Sequence, residues 1–183
     1  MKPLSPVVSG ILSMFRKRNQ RKLRKLNDEI LKSAALDFNR ATFNLAVFSY
    51  ILSKIVSKPR YLEKECEGCL KTIEDALEDL SEKIDVSDEA KVMEMFTVLE
   101  HGIACLERKD PRFVIDLITK GKLKTAATFY AQGISLGVAA ELTGLDKQEI
   151  LDYAGETMMF DRLKDEKTIA ERMKEARKML SGS

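Results

Sequence analysis

The sequence has no tryptophan, a single histidine, four prolines and three cysteines among its 183 residues. It also lacks a glycine-rich phosphate loop, paired carboxylates at a metal-binding helical spacing, and a serine, histidine and acid set whose spacing supports nucleophilic catalysis. The one histidine, His101, has no arginine within the six residues before it. We therefore expect a protein without catalytic activity and without a cofactor.

The apolar runs are too short to cross a bilayer. The stretch from Val7 to Phe15 is interrupted by serine and glycine, and it precedes its positive charges, which is the reverse of the order in a signal peptide. Three cysteines are an odd number, which argues against a disulfide framework. From these features we expect a cytoplasmic protein with no membrane partner.

Alternating apolar residues of the kind found in strands are absent, and apolar residues recur instead at every third or fourth position. Three such stripes predict long helices, at residues 23–55, 59–84 and 88–107. Asp110-Pro111 predicts a further helix start, with Gly121 at the end of that helix and a short helix at 122–132. A last helix is predicted near residues 168–180, where Thr168 and Glu171 can form a capping box. The expected fold class is all-α.

The predicted architecture is an N-terminal bundle of long antiparallel helices at 1–109, with a basic N-terminal segment, followed by a helix-turn-helix region at 110–183. The helix-turn-helix region is predicted from the order of small, apolar and capping residues from 133 to 157. Three residues are expected to form its scaffold, since they supply a close crossing, a left-handed turn and a buried anchor: Ala140, Gly144 and Ile150.

Capping residues mark the two helices of this motif. Ser135 is placed to cap the first helix, and Asp146 with Glu149 forms a capping box for the second. Lys147 and Gln148 then lie at the start of the second helix, where a reading helix contacts base edges. Together with Ser135, they are the candidate residues for contacting DNA in this motif.

The run from Gly133 to Leu145, Gly-Ile-Ser-Leu-Gly-Val-Ala-Ala-Glu-Leu-Thr-Gly-Leu, resembles a stretch of small archaeal and bacterial antitoxin-like helix-turn-helix proteins. The resemblance covers about residues 122–178 and includes the Glu-Arg-Met-Lys-Glu-Ala-Arg segment at 171–177. Members of that family are often paired with PIN-domain nuclease toxins. The resemblance therefore implies a DNA-binding or toxin-neutralising role, with a toxin as protein partner.

Charge is unevenly distributed along the chain. Residues 1–60 hold thirteen lysines and arginines against three acids, whereas residues 61–109 hold six against fourteen. The segment 133–157 has five acids and only Lys147 as a cation, so its second helix is poorly suited to neutralising phosphates. Any phosphate contacts are expected to come from elsewhere in the chain.

The densest basic run, at residues 16–25, is the best electrostatic footprint for nucleic acid. One interpretation is a mobile arm that follows the phosphate backbone, and the other is docking on the acidic second and third helices or on an acidic partner. The candidate DNA-binding residues in this run are Arg16, Lys17, Arg18, Arg21 and Lys22.

Cys66 and Cys69 have the two-residue gap of a metal or redox pair, and His101 and Cys105 share one helix face. Zinc sites need four ligands in a tetrahedron, and these four residues are the candidate set for one. The alternative is that cysteines within an apolar stripe are small core residues.

Two functions follow from the sequence. The first is a DNA-binding regulator or antitoxin-like protein, expected to be a homo-oligomer because helix-turn-helix proteins usually read paired half-sites on double-stranded DNA. The alternative is a helical protein-interaction module in which the helix-turn-helix is only scaffold and its acidic face binds a basic protein.

Overall fold

The computed structural model describes residues 3–36, 39–109 and 116–159, together with residue 173. Across these ranges the chain is helical, without strands, as the sequence predicts. Two short 3-10 turns, Pro59–Leu62 and Lys64–Cys66, precede the fourth helix. The helices are α1 Ser5–Arg16, α2 Gln20–Leu36, α3 Arg40–Val56, α4 Glu67–Lys83, α5 Glu89–Arg108, α6 Leu117–Ala131, α7 Leu136–Thr143 and α8 Lys147–Glu156.

The single long helix predicted at 23–55 is wrong, because the structure has two helices there, α2 and α3, packed side by side. Asn39 begins α3, and its side chain accepts a hydrogen bond from the Thr42 backbone amide at 2.8 Å. The buried Asn27 of α2 donates to the Ala46 carbonyl of α3 at 2.7 Å and to the Ser49 hydroxyl at 2.9 Å. The apolar residues of α2 and of α3 both recur with the helical period. The spacing of apolar residues in the sequence therefore shows no break where the chain passes from one helix to the next.

Helix α1 runs antiparallel to α4. Its first turn binds the end of α4, since the backbone amides of Leu4 and Ser5 donate to the two carboxylate oxygens of Asp85 at 2.7 and 2.9 Å. A carboxylate at a helix N-terminus satisfies amides that have no partner within the helix and interacts favourably with the helix dipole. At the other end of α1, Arg16 reaches Glu78 of α4.

The main core is formed by all five helices from α1 to α5, and α6 also contributes to it. Phe48 of α3 stacks on Phe96 of α5 with ring centroids 5.4 Å apart, and Phe43 contacts Phe129 of α6 at 5.7 Å. Aromatic pairs at these separations add to the stabilisation from burying apolar area. The core therefore joins the first five helices to α6.

Gly121 lies inside α6 and does not end a helix, so the predicted boundary there and the separate helix at 122–132 are wrong. Its lack of a side chain is used for packing. A Cβ at this position would come within 2.7 Å of Ile51 on α3. The glycine thus allows a close crossing of α6 and α3, and Asp116 begins the helix by accepting from the Thr119 amide.

A second, smaller core joins α6 to α7 and α8. It is built largely of alanines around one isoleucine and one methionine: Ala126, Ala127, Ala139, Ile150, Ala154 and Met159. Because α6 contributes to both cores, the short helices α7 and α8 are attached to the bundle through α6. The domain boundary predicted at residue 109 stays a prediction.

Some predicted features lie outside the described residues, namely the Asp110-Pro111 helix start and most of the last helix near 168–180. Met173 alone is described there, and it is helical and exposed. In the described part of the chain, no helix is both long and apolar enough to traverse a bilayer.

Candidate functional site

Helices α7 and α8 are joined by a tight turn at the glycine that the sequence predicts. Gly144 has a left-handed backbone with φ of 67° and ψ of 15°, and its amide donates to the Ala140 carbonyl at 2.9 Å. Glycine takes this conformation without the steric cost that a Cβ brings. At the other end of α7, the Ser135 hydroxyl accepts a hydrogen bond from the Val138 amide, which confirms the predicted cap.

The start of α8 also matches its prediction. Asp146 accepts from the Gln148 amide, and Glu149 reaches back to accept from the Asp146 amide at 3.1 Å, so the capping box is present. Ile150 is fully buried in the small core. The alanine that is fully buried beside it is Ala139, whereas the predicted Ala140 is only partly buried.

The leading end of α8 is open to solvent. Lys147 and Gln148 are both exposed, and the side-chain amide of Gln148 donates from Nε2 to the Asp152 carboxylate at 2.8 Å. Apart from Lys147, the charged side chains of α7, α8 and the turn between them are exposed carboxylates. Asp146, Glu149 and Asp152 are the nearest to this end in the sequence, whereas Glu141 lies on α7 and Glu156 at the far end of α8. This end therefore has the exposure that a reading helix needs, but a charge that repels phosphates.

The basic run at 16–25 is not an extended arm, because it covers the end of α1, a short turn and the start of α2. Arg16 and Arg18 face α4, where Arg16 pairs with Glu78 at 2.9 Å and Arg18 pairs with Glu74 at 3.1 Å. The second interpretation, docking on an acidic helix, describes these two arginines. The other candidate residues of the run, Lys17, Arg21 and Lys22, are exposed, and Arg16 is exposed as well despite its ion pair.

The cysteines form neither the candidate zinc site nor a redox pair between Cys66 and Cys69. Cys69 of α4 and Cys105 of α5 are joined in a disulfide, with Cα atoms 5.7 Å apart, which corrects the expectation against disulfides. Neighbouring helices place these two side chains together, and residue counting could not show this. Cys66 is free and buried, with its thiol directed at the Arg60 carbonyl, and His101 is exposed.

A concave basic surface lies between α2, α3, α6 and α8, and the sequence did not predict it. This cleft, about 640 Å³ in volume, has four cations and one carboxylate in its wall, with Tyr50 and Tyr153 among them. The charged residues of this basic cleft are Arg24, Asp28, Lys32, Lys54 and Lys124. They come from three separate helices, so no run or motif in the sequence could have brought them together.

Tyr50 lines the basic cleft together with cations from α3 and α6. The ammonium groups of Lys54 and Lys124 are 5.4 and 5.6 Å from its ring centroid. These are cation–π distances, at which an aromatic face attracts a positive charge. A separate, smaller pocket shares Tyr50 and Lys54 with the cleft and is also lined by Lys120, near the start of α6.

No family model, curated protein or solved structure matches this chain. The resemblance of residues 122–178 to antitoxin-like proteins, and every functional role assigned to this chain, therefore depend on its own residues and geometry.

Crowding in the basic cleft alters the acidity of its groups. Burial raises the pKa of Tyr50 to about 12, and the nearby Tyr153 adds to the rise while Arg24 opposes it. Burial also lowers the pKa of Lys54, with further lowering from the positive charges of Arg24 and Lys120. At neutral pH the Tyr50 hydroxyl is thus a protonated hydrogen-bond donor beside several cations.

We expect Tyr50 to ionise near pH 12 when the protein is titrated and tyrosinate absorbance is recorded, and Tyr50→Phe to remove that step. Because the folded pKa lies above the ordinary value of 10, the stability that this group contributes is complete below pH 10. It is lost as the pH rises from 10 to about 12. Tyr153→Phe should move the step to a lower pH, since Tyr153 raises the pKa of Tyr50. A Tyr50→Phe titration identical to wild type would contradict this assignment.

Proposed function

We propose that this chain is a non-catalytic helix-turn-helix protein that binds double-stranded DNA through the leading end of α8, as a regulator or an antitoxin-like protein. The observation that supports it most directly is the exposure of Lys147 and Gln148 after a left-handed turn. Helix α8 is also held by its buried Ile150 against α6, so its solvent face is presented on a rigid support. Gln can pair with adenine and Lys with guanine in the major groove.

Phosphate contacts in this proposal come from cations outside α7 and α8. Arg21 and Lys22 are exposed near the start of α2, whereas Arg16 and Arg18 are occupied by Glu74 and Glu78. A second copy of the chain would supply a second reading helix, because such motifs read paired half-sites. The homo-oligomer is part of the proposal.

The acidic face of α7 and α8 favours the alternative, an interaction module that binds a basic protein such as a toxin. Glu141 and Glu156 are exposed, and neither takes part in the caps of these helices. In this alternative the same helix pair is a scaffold, and its carboxylates attract the partner. The carboxylates of α7 and α8 would attract a basic protein but repel the phosphates of DNA, so their charge favours one function and opposes the other.

The decisive test is DNA binding by the purified chain to duplexes enriched from a random library, measured by fluorescence anisotropy over a salt series. We expect affinity to fall steeply with salt, and Lys147→Glu to weaken binding by about tenfold or more. Lys91→Glu is the matched control, because Lys91 is exposed in the first turn of another helix, α5. Equal effects of the two substitutions, or no enriched duplex at low salt, would exclude DNA reading by α8.

Charge reversal separates the two functions further. Replacing Glu141 and Glu156 with lysine removes repulsion from phosphates, so we expect tighter DNA binding if α8 enters the groove. Weaker DNA binding by this variant would contradict the proposed placement. Arg21→Glu with Lys22→Glu should reduce the salt dependence without breaking the ion pairs of Arg16 and Arg18.

A further inference from the structure

The basic cleft has the dimensions of a small-molecule site. Its volume of about 640 Å³ lies within the range of roughly 300–1,000 Å³ that is usual for ligand pockets. Its lining combines two tyrosines, several cations and Gln132. Such a mixture gives an aromatic surface on which a ligand can pack and polar groups that fix the orientation of the ligand.

The charges of the cleft are arranged for an anion. Lys54 faces the positive charges of Arg24 and Lys120, which together with burial disfavour its own charged form. Like charges held close in a partly desolvated site repel one another, and an anion between them relieves that repulsion. A ligand with more than one negative charge gains most, because it can contact cations on both α2 and α3.

Oxygen-rich phosphate groups fit the donors that are present. Arg24 offers a planar fork of N–H groups, Lys54 offers an ammonium, and the protonated Tyr50 offers a hydroxyl. A phosphate accepts from all three types of donor at once. The concave shape, which lies between helices and is partly open to solvent, admits a small molecule more readily than the long convex surface of a duplex.

We propose that the basic cleft binds a small phosphate-bearing molecule with at least two negative charges, held by Arg24, Lys54 and Tyr50. The ligand also meets Tyr153, which belongs to α8, so it contacts the helix whose leading end carries Lys147 and Gln148. Binding in the cleft does not require that α8 contacts DNA.

Tripolyphosphate is a suitable probe, because it has several charges and no base to recognise. We expect saturable binding with one site per chain by isothermal titration calorimetry. Replacing Arg24 and Lys54 with glutamine should weaken this binding by at least about tenfold, since each cation contributes a charge-assisted hydrogen bond. The matched control replaces Lys25 and Lys91, which are exposed and do not line the cleft, with glutamine. It removes the same charge and should bind as wild type does.

A measurement on the wild-type protein keeps the test independent of how the variants fold. Tripolyphosphate should shift the ring resonances of Tyr50 and Tyr153 in NMR spectra and leave those of Tyr61, buried elsewhere in the core, unchanged. Absence of binding at millimolar probe, equal loss in the cleft and control variants, or shifts spread evenly over the tyrosines would overturn the proposal. Displacement of tripolyphosphate from Tyr50 by duplex DNA would also overturn the assignment to a small molecule.

Discussion

Replacing both Cys69 and Cys105 with serine is expected to lower the free energy of unfolding by about 3–4 kcal/mol. The bond joins residues 36 positions apart and closes the α4–α5 hairpin into a loop, so its removal restores conformational freedom to the unfolded chain. For a chain of this length the loss corresponds to a fall of roughly 10 °C in melting temperature. Denaturant unfolding and calorimetry measure the two quantities.

A reductant gives the matched control for this pair. It should lower the stability of the wild-type protein towards that of the double variant and leave the double variant unchanged. Under denaturing, non-reducing conditions, a thiol titration should find one free thiol, from Cys66. Three free thiols, or a wild-type melting temperature that reductant does not change, would contradict the Cys69–Cys105 disulfide.

Ile150→Ala is expected to destabilise the docking of α7 and α8 by about 2–5 kcal/mol. Ile150 is fully buried, and its neighbours in the small core are mostly alanines, which are too short to fill the space that its side chain leaves. Because this cluster is separate from the main core, the loss should be local. Hydrogen exchange should speed up in residues 136–156 and change little in 40–56.

Val138→Ala is the matched substitution for this experiment. Val138 is on α7 but is 39% exposed, so its truncation should change exchange by far less than that of Ile150. If Ile150→Ala accelerates exchange equally in both segments, α7 and α8 unfold only together with the bundle. If it accelerates neither, the small core does not hold α8.

Local signals in the sequence predicted the helical class and the α7–α8 turn because those features depend on neighbouring residues. Ser135 and Gly144 act within one turn of their own positions, so the pattern that indicates them is contiguous. The Asp146 and Glu149 box is likewise complete within four residues. In this helix pair the sequence was sufficient because each cap, and the turn itself, is formed by residues close together in the chain.

Features that depend on packing were missed or misplaced. Asn39 begins a helix, but the apolar stripe continues on both sides of it, so periodicity suggested one helix. Glycine at position 121 is typical of a helix end in a sequence, but here its small size allows a crossing with Ile51 that exists only in three dimensions. The Cys69–Cys105 bond and the basic cleft combine residues from different helices, and spacing along the chain could not bring them together.

The position of α6 has a consequence for how the chain is made. Phe129 of this helix packs in the main core, whereas Ala126 and Ala127 form part of the floor on which α7 and α8 rest. A ribosome releases the first five helices before this floor exists, and domains generally fold as they emerge, N-terminal part first. Helices α7 and α8 therefore emerge after α6, the helix that supplies their docking surface.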